Sequence, residues 1–229
     1  MKELALKLEA LNGKRESLVL AMGVFFVAVL AACLFVSAAF GYFLIVCLMV
    51  AMASATVLGR YWCNWMCPRG SFLEYVLARF SLQRRFPPFF KRGYFLTFVV
   101  AAFMFMLGLN LYLLCQNHSV ASALGITLTR LLVVSTTVAV ILGIAYEPRA
   151  WCVICPGATF AKLAATFKGK KPYLVNEAAA CTSCLLCEKS CAFHIDASRS
   201  GVIDDPDCLK CFACVERCPS NALRFSDQA

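Results

Sequence analysis

The sequence predicts a mostly α-helical membrane protein, a four-helix transmembrane bundle of two repeated hairpins followed by a small α+β domain built around metal clusters. Three observations carry this. Of 229 residues, 61% are hydrophobic and 15% charged, with a mean hydropathy of +0.74, far outside the range of a soluble domain. Uncharged runs long enough to cross a bilayer occur in both halves of the membrane part. Eight of the 15 cysteines fall in the last quarter of the chain as two copies of one spacing.

Taken in order, residues 1–16 hold Lys2, Lys7, Lys14 and Arg15 and read as an amphipathic cytoplasmic segment. No residue is charged from Ser17 to Gly59 or from Gly93 to Thr129, and Arg130 precedes a further uncharged run to Tyr146. A helix needs about 20 apolar residues to cross the hydrocarbon. Spans are therefore expected at 17–39, 41–59, 93–114 and 127–146, within a membrane domain 17–146 whose loop 60–92 lies in the interface. Leu30-Ala31-Ala32-Cys33 mimics a lipoprotein cleavage box, but the apolar run continues past it. Cys33, Cys47 and Cys115 read as small hydrophobes of the spans.

The formal charge of +9 divides unevenly: residues 1–172 hold 17 Lys+Arg against 5 Asp+Glu, and residues 173–229 hold 5 against 8. The basic residues precede the first span, fill the 60–92 loop and follow the fourth span. By the positive-inside rule both termini and the C-terminal domain are cytoplasmic, in a bacterial or archaeal cytoplasmic membrane. Membrane lipid, and not nucleic acid, is the partner this charge implies.

The membrane part repeats itself. Arg60-Tyr-Trp62-Cys63-Asn-Trp-Met-Cys67-Pro68 follows the second span, and Arg149-Ala-Trp151-Cys152-Val-Ile-Cys155-Pro156 follows the fourth. Each leads into a short amphipathic segment, with Phe72, Leu73, Val76, Leu77 and Phe80 on one face of the first and Phe160, Leu163, Ala164 and Phe167 on one face of the second; residues 147–172 comprise the second Cys-Pro motif and its basic helix. Both are expected to lie flat in the interface, with Arg79, Arg84, Arg85, Lys162, Lys168 and Lys170 toward head groups. Repeats of like orientation are related by an axis along the membrane normal, which brings the two Cys-Pro motifs face to face. Proline is tolerated in the first turn of a helix, so Cys67 and Cys155 fall at helix N-termini, where free N–H groups favour a thiolate. Cys63, Cys67, Cys152 and Cys155 are candidate ligands of a third iron–sulfur centre or another soft metal, or redox-active dithiols.

Residues 173–229 contain Cys181-x2-Cys184-x2-Cys187-x3-Cys191 and Cys208-x2-Cys211-x2-Cys214-x3-Cys218-Pro219. This is the run of two-cluster bacterial ferredoxins, in which the fourth cysteine serves the other cluster. It implies one [4Fe–4S] cluster on Cys181, Cys184, Cys187 and Cys218 and a second on Cys208, Cys211, Cys214 and Cys191. Zinc ribbons use two pairs rather than two quartets. Tyr173–Val175 and Ala222–Phe225 are expected to pair as outer strands. With only His118 and His194 in the chain, a bis-histidine haem in the bundle is excluded, and no nucleotide-binding glycine motif occurs. His118, Arg130, Trp62 and Trp151 are candidate contacts for a quinone head group.

Four spans, two Cys-Pro motifs at the membrane edge and a C-terminal 2[4Fe–4S] domain resemble the NapH/NosR-type membrane-bound ferredoxins. The resemblance covers nearly the whole chain. It implies quinol-linked electron transfer as a subunit of a larger redox complex, with matching positions at Cys63, Cys67, Cys152, Cys155 and the eight ferredoxin cysteines. Two positions depart from the family: the second motif has two spacer residues, Val153 and Ile154, where three are usual, and Ala192 stands in place of a proline. Copper reduction or assembly, a thiol–disulfide relay and a structural anchor are the rival readings of the Cys-Pro motifs.

Overall fold

The computed structural model describes residues 15–167, 173–198 and 201–226; the expected segment 1–16 falls almost wholly outside these, as do Lys168, Lys170 and Lys171. In chain order the helices are α1 (Arg15–Phe35), α2 (Phe43–Leu58), α3 (Tyr61–Trp65), α4 (Pro68–Leu77), α5 (Gly93–Cys115), α6 (Val120–Ala145), α7 (Trp151–Ile154) and α8 (Pro156–Phe167). Among the described residues four segments are long and apolar enough to cross a membrane: Ser17–Phe35, Ala38–Val57, Gly93–Cys115 and Val120–Ala145. The protein is mostly helical, with a small C-terminal sheet.

The fourth span begins earlier than 127. The residues from Val120 to Ile126 fall outside the expected span, yet they are helical, because Ser119 turns the chain in an extended conformation and no proline follows. The helix is fixed there by small residues: a Cβ on Gly41, in the 3₁₀ turn Ala38–Tyr42, would lie 2.7 Å from the Gly125 carbonyl. The α5–α6 hairpin therefore rises past the α1–α2 turn by five to nine residues, roughly 10 Å at 1.5 Å per residue.

The two segments expected to lie flat in the interface stand against the spans instead. Helix α4 packs along α1 and α6: Phe72 meets Phe26 with ring centroids 5.5 Å apart, and Leu73 and Leu77 enter the core beside Ala139. Helix α8 packs along α2, with Gly157 against Leu48. Leu73 is 0% and Leu77 4% exposed, and Pro68, Gly70 and Ser71 are buried with them. A helix floating on a surface leaves such positions half open, so Leu73 and Leu77 are protein-facing, while Val76, Phe80 and Leu163 of the same apolar faces stay exposed.

Helix α4 starts deep and runs toward the end of the spans that carries the C-terminal domain. At its start Arg69 donates to Ser135 Oγ at 2.9 Å, ten residues or about 15 Å along α6 from Ala145. Beyond its end Ser81 Oγ donates to the Tyr146 carbonyl at 2.7 Å. The Cys-Pro loops are thus re-entrant, and the inner halves of the spans are held by α4 and α8 rather than closing on one another as a simple four-helix bundle. Irregular backbone at such depth persists only where protein covers it.

In the C-terminal part, β1 (Tyr173–Asn176), α9 (Leu186–Lys189), β2 (Gly201–Ile203), α10 (Ala213–Glu216) and β3 (Leu223–Ser226) form an antiparallel sheet of order β2-β1-β3 with two short helices. β1 and β3 pair with Leu174 opposite Phe225 and Asn176 opposite Leu223. β1 is central rather than outer, because Gly201–Ile203 adds to its free edge. Leu174, Ala197 and Leu223 make the small core, with Cys187, Cys214 and Cys218 at its margin.

Candidate functional site

The two cysteine runs of the C-terminal domain have the same backbone. Ser183 and Leu185 in the first run, and Lys210 and Phe212 at the equivalent places in the second, take positive φ of 53°, 58°, 53° and 65°. His194 and Asn221, each three residues after the last cysteine of its run, both have φ 50°. Such conformations are costly for non-glycine residues and are kept where function over-determines them. Alternating left- and right-handed residues turn successive N–H groups inward, the concavity that receives anionic groups, iron–sulfur centres among them.

Two cavities result, each mixing cysteines of both runs. The larger, about 30 Å³, is lined by Cys191, Cys208, Cys211 and Cys214, with Cys187 beside them and Phe193, Leu209 and Phe212 as its apolar wall. The second, about 20 Å³, is lined by Cys181, Cys184, Cys187 and Cys218, with Thr182, Ser198 and Ser220. Each exceeds the ~10–15 Å³ that one water requires. Burial pushes the metal-free Cys208 thiol up to about 11 and Cys214 further in the same direction. A metal bound there would displace these protons, which would pass to solvent as the thiolates formed.

In the membrane part the four Cys-Pro cysteines come together. Cys63 lies within electrostatic reach of Cys67 and Cys155, and Cys152 within reach of Cys63, Cys67 and Cys155. The shorter second motif is absorbed locally, since α7 has four residues where α3 has five. Cys67 caps α4, with Pro68 in its first turn, and Cys155 immediately precedes α8, its carbonyl accepting from Thr159 N at 3.0 Å. A Cβ on Gly70 would lie 3.2 Å from the Cys63 carbonyl, so the small residue lets α4 approach the loop that precedes it. Burial raises the Cys63 thiol and pushes Cys152 up to about 12, against the pull of Arg60 and Arg149 respectively.

The duplicated arginines explain how the loops are held. Arg60 donates from Nη2 to the Cys152 carbonyl at 2.6 Å, and Arg149 donates to the Cys63 carbonyl at 3.4 Å and the Asn64 carbonyl at 3.2 Å. Each repeat thus clamps the cysteine loop of the other. Both guanidiniums are buried, at 2% and 3% exposure, and both are paired, Arg60 with Asp207 at 3.0 Å and Arg149 with Glu74. The sequence showed these arginines as a repeat without disclosing their reciprocal use. Arg69 carried no such signal, because its counterpart after Cys155-Pro156 is Gly157.

The larger cavity abuts this four-sulfur group. Trp151, Val153 and Ile154 share one core with Phe193 and Leu209, and Cys63, Cys152, Cys155, Cys191 and Cys211 pack on it. Arg149 feels both Cys152 and Cys211. Lys162 joins Arg60 on Asp207, Lys91 donates to the Phe193 carbonyl at 2.8 Å, Arg85 pairs with Glu188 at 2.9 Å, and His194 pairs with Glu147. Trp65 packs on Phe212.

The four candidate contacts for a quinone head group fall in two separate places. His118 is exposed in the turn between α5 and α6, and exposed Arg130 donates to Asn110 Oδ1 at 3.3 Å, one residue beyond Thr129 at the level of the α1–α2 turn. Trp62 and Trp151 flank the cysteine loops in the opposite half. Cys33 is buried at 5% among Phe26, Val29 and Leu132.

Two family models match the chain: a 4Fe-4S binding domain over residues 40–87 and 129–173, taking in both Cys-Pro loops, and a 4Fe-4S dicluster domain over 173–219. They support iron–sulfur clusters and electron transfer in a chain whose helices suit a multi-pass membrane protein. Two uncharacterized proteins of Methanocaldococcus jannaschii are similar. MJ0750 is 26% identical over 193 residues, 80% of this chain and 79% of the relative, and MJ0749 is 28% identical over 181 residues, 77% and 68%. No solved structure matches.

Proposed function

We propose that this chain is a NapH/NosR-like electron-transfer subunit that links a membrane quinone to a partner redox enzyme. One observation carries the reading: three groups of four cysteines stand in series, from Cys184 on the exposed side of the C-terminal domain, through Cys191 and Cys211, to Cys152 and Cys63 within the re-entrant loops. When bound, iron–sulfur clusters supply one-electron carriers at these positions. Cys181, Cys184, Cys187 and Cys218 would hold one, Cys191, Cys208, Cys211 and Cys214 the second, and Cys63, Cys67, Cys152 and Cys155 a third.

The residues around them do the rest. Phe193, Leu209 and Trp151 exclude water between the second and third groups, and Arg60 and Arg149 fix the distance between the two cysteine loops. Among the described residues no three His, Cys, Asp or Glu side chains converge as on a single metal ion, at the ferredoxin cavities or at the Cys-Pro loops. The basic residues of the 60–92 loop and after the fourth span support a cytoplasmic location for that domain and both termini.

The test is quinol-dependent reduction of the ferredoxin clusters in inverted membrane vesicles. A Cys67→Ser, Cys155→Ser double variant is expected to lose it while keeping membrane insertion and both ferredoxin clusters. Normal quinol-linked reduction in that variant would reduce the Cys-Pro motifs to turn-formers and favour the structural-anchor reading.

A further inference from the structure

Arg69 differs from the other two arginines at the four-sulfur group. Arg60 and Arg149 have Asp207 and Glu74 as partners, while Arg69 pairs with no carboxylate among the described residues. It donates from Nη1 to Ser135 Oγ at 2.9 Å and from Nη2 to Cys155 Sγ at 3.2 Å, and its guanidinium lies 5.4 Å over the Trp151 ring. Ser135 stands near the middle of α6, so the cation is held at mid-span depth. A guanidinium there is expensive unless something nearby carries the opposite charge. The repeat does not demand it, because the second copy has Gly157 at the same place.

Cys155, whose Sγ accepts from Arg69, and the three cysteines grouped with it can supply that charge. Four thiolates holding a metal cluster are anionic, and a low-dielectric surround makes the attraction strong. The Trp151 Nε1–H, next in sequence to Cys152, is a second buried donor and has no hydrogen-bond partner among the described residues. Resting on the four-sulfur reading above, we infer that Arg69 is the counter-charge of the centre held by Cys63, Cys67, Cys152 and Cys155 and sets its reduction potential. The couple is a one-electron one: an electron arrives from a neighbouring iron–sulfur carrier, no bond breaks, and the centre gains one negative charge. A fixed cation donating to a ligand sulfur favours that reduced state. Arg69 is a positioning residue for charge and touches no substrate in this reading.

The experiment is an anaerobic redox titration of the full chain in detergent, with dithionite and mediators, followed by low-temperature EPR. At the wild-type midpoint of the third signal, Arg69→Gln is expected to lower the reduced-to-oxidised ratio at least tenfold, about 59 mV for one electron. Arg69→Lys falls between, and the two ferredoxin signals do not move. An unmoved third signal in Arg69→Gln overturns this inference and leaves the four-sulfur reading standing. No third signal in the wild type overturns both. If Arg69→Gln cannot hold the centre, Ser135→Ala decides: a shift in the same direction supports the inference, and an unchanged midpoint overturns it.

Discussion

Removing Arg149 should cost more stability than removing any other single cation of the membrane part. Its guanidinium is 3% exposed and joins Glu74 through Nε at 3.1 Å and through Nη2, and the carbonyls of Cys63 and Asn64 at 3.4 and 3.2 Å. Breaking a buried ion pair from one side costs about 3–5 kcal/mol. The Glu74 side chain is 30% exposed and regains some water, which argues for the lower end; the two orphaned carbonyls, whose bonds were long, add about 1 kcal/mol. Arg149→Met should therefore lose about 4 kcal/mol, a factor of roughly 10³ in the unfolding equilibrium. Glu74→Met in the same chain should restore about 1–3 kcal/mol, because the stranded carboxylate goes too. SDS titration of the detergent-solubilised protein, read by tryptophan fluorescence, measures both. Arg130→Met, which loses one exposed 3.3 Å hydrogen bond, is the control and should stay within ~0.5 kcal/mol. A loss below ~1 kcal/mol for Arg149→Met would refute the reciprocal clamp.

Asp207 receives both Arg60 and Lys162, so Asp207→Asn should loosen the C-terminal domain from the membrane part; deuterium uptake over residues 208–214 should rise, and unchanged uptake would count against the docking. Gly41→Ala should cost about 1–3 kcal/mol, since the new methyl meets the Gly125 carbonyl and Thr129 Oγ1 at 2.7 Å. Gly108→Ala, with nothing within 4 Å, should be neutral or gain up to ~1 kcal/mol of helix propensity in the same SDS titration. An epitope inserted at Asn117 should be reached by antibody on intact spheroplasts, whereas one at the C-terminus should need permeabilised cells. The reverse pattern would move the cysteine-rich domain to the other compartment.

The sequence made some of this readable and hid the rest for physical reasons. Uncharged length reveals a span, because desolvating a charge is costly, and so four crossing helices could be read from Ser17 to Tyr146. Length alone does not say where a turn sits: Val120–Ile126, rich in small residues, has the composition of a loop, and its helix is fixed by the close approach of Gly125 to Gly41. Cysteine spacing is itself a geometric statement, and the gathering of Cys218 with the first run and Cys191 with the second follows from it. Amphipathicity says that a helix has an apolar face but not what covers it. Leu73 and Leu77 would look the same facing lipid or facing Ala139, and only packing distinguishes them. The duplicated Arg60 and Arg149 signalled a paired role that their crossing hydrogen bonds now explain, while Arg69, present in one repeat only, left no pattern to notice.

Whether the re-entrant loops hold a third cluster is decided most directly by counting iron and acid-labile sulfide per chain in anaerobically purified protein. The comparison is the wild type against a variant with serine at Cys63, Cys67, Cys152 and Cys155. The four-sulfur reading predicts about twelve of each in the wild type and about eight in the variant, with both ferredoxin EPR signals kept. About eight in both would contradict it and confine the iron to the C-terminal domain.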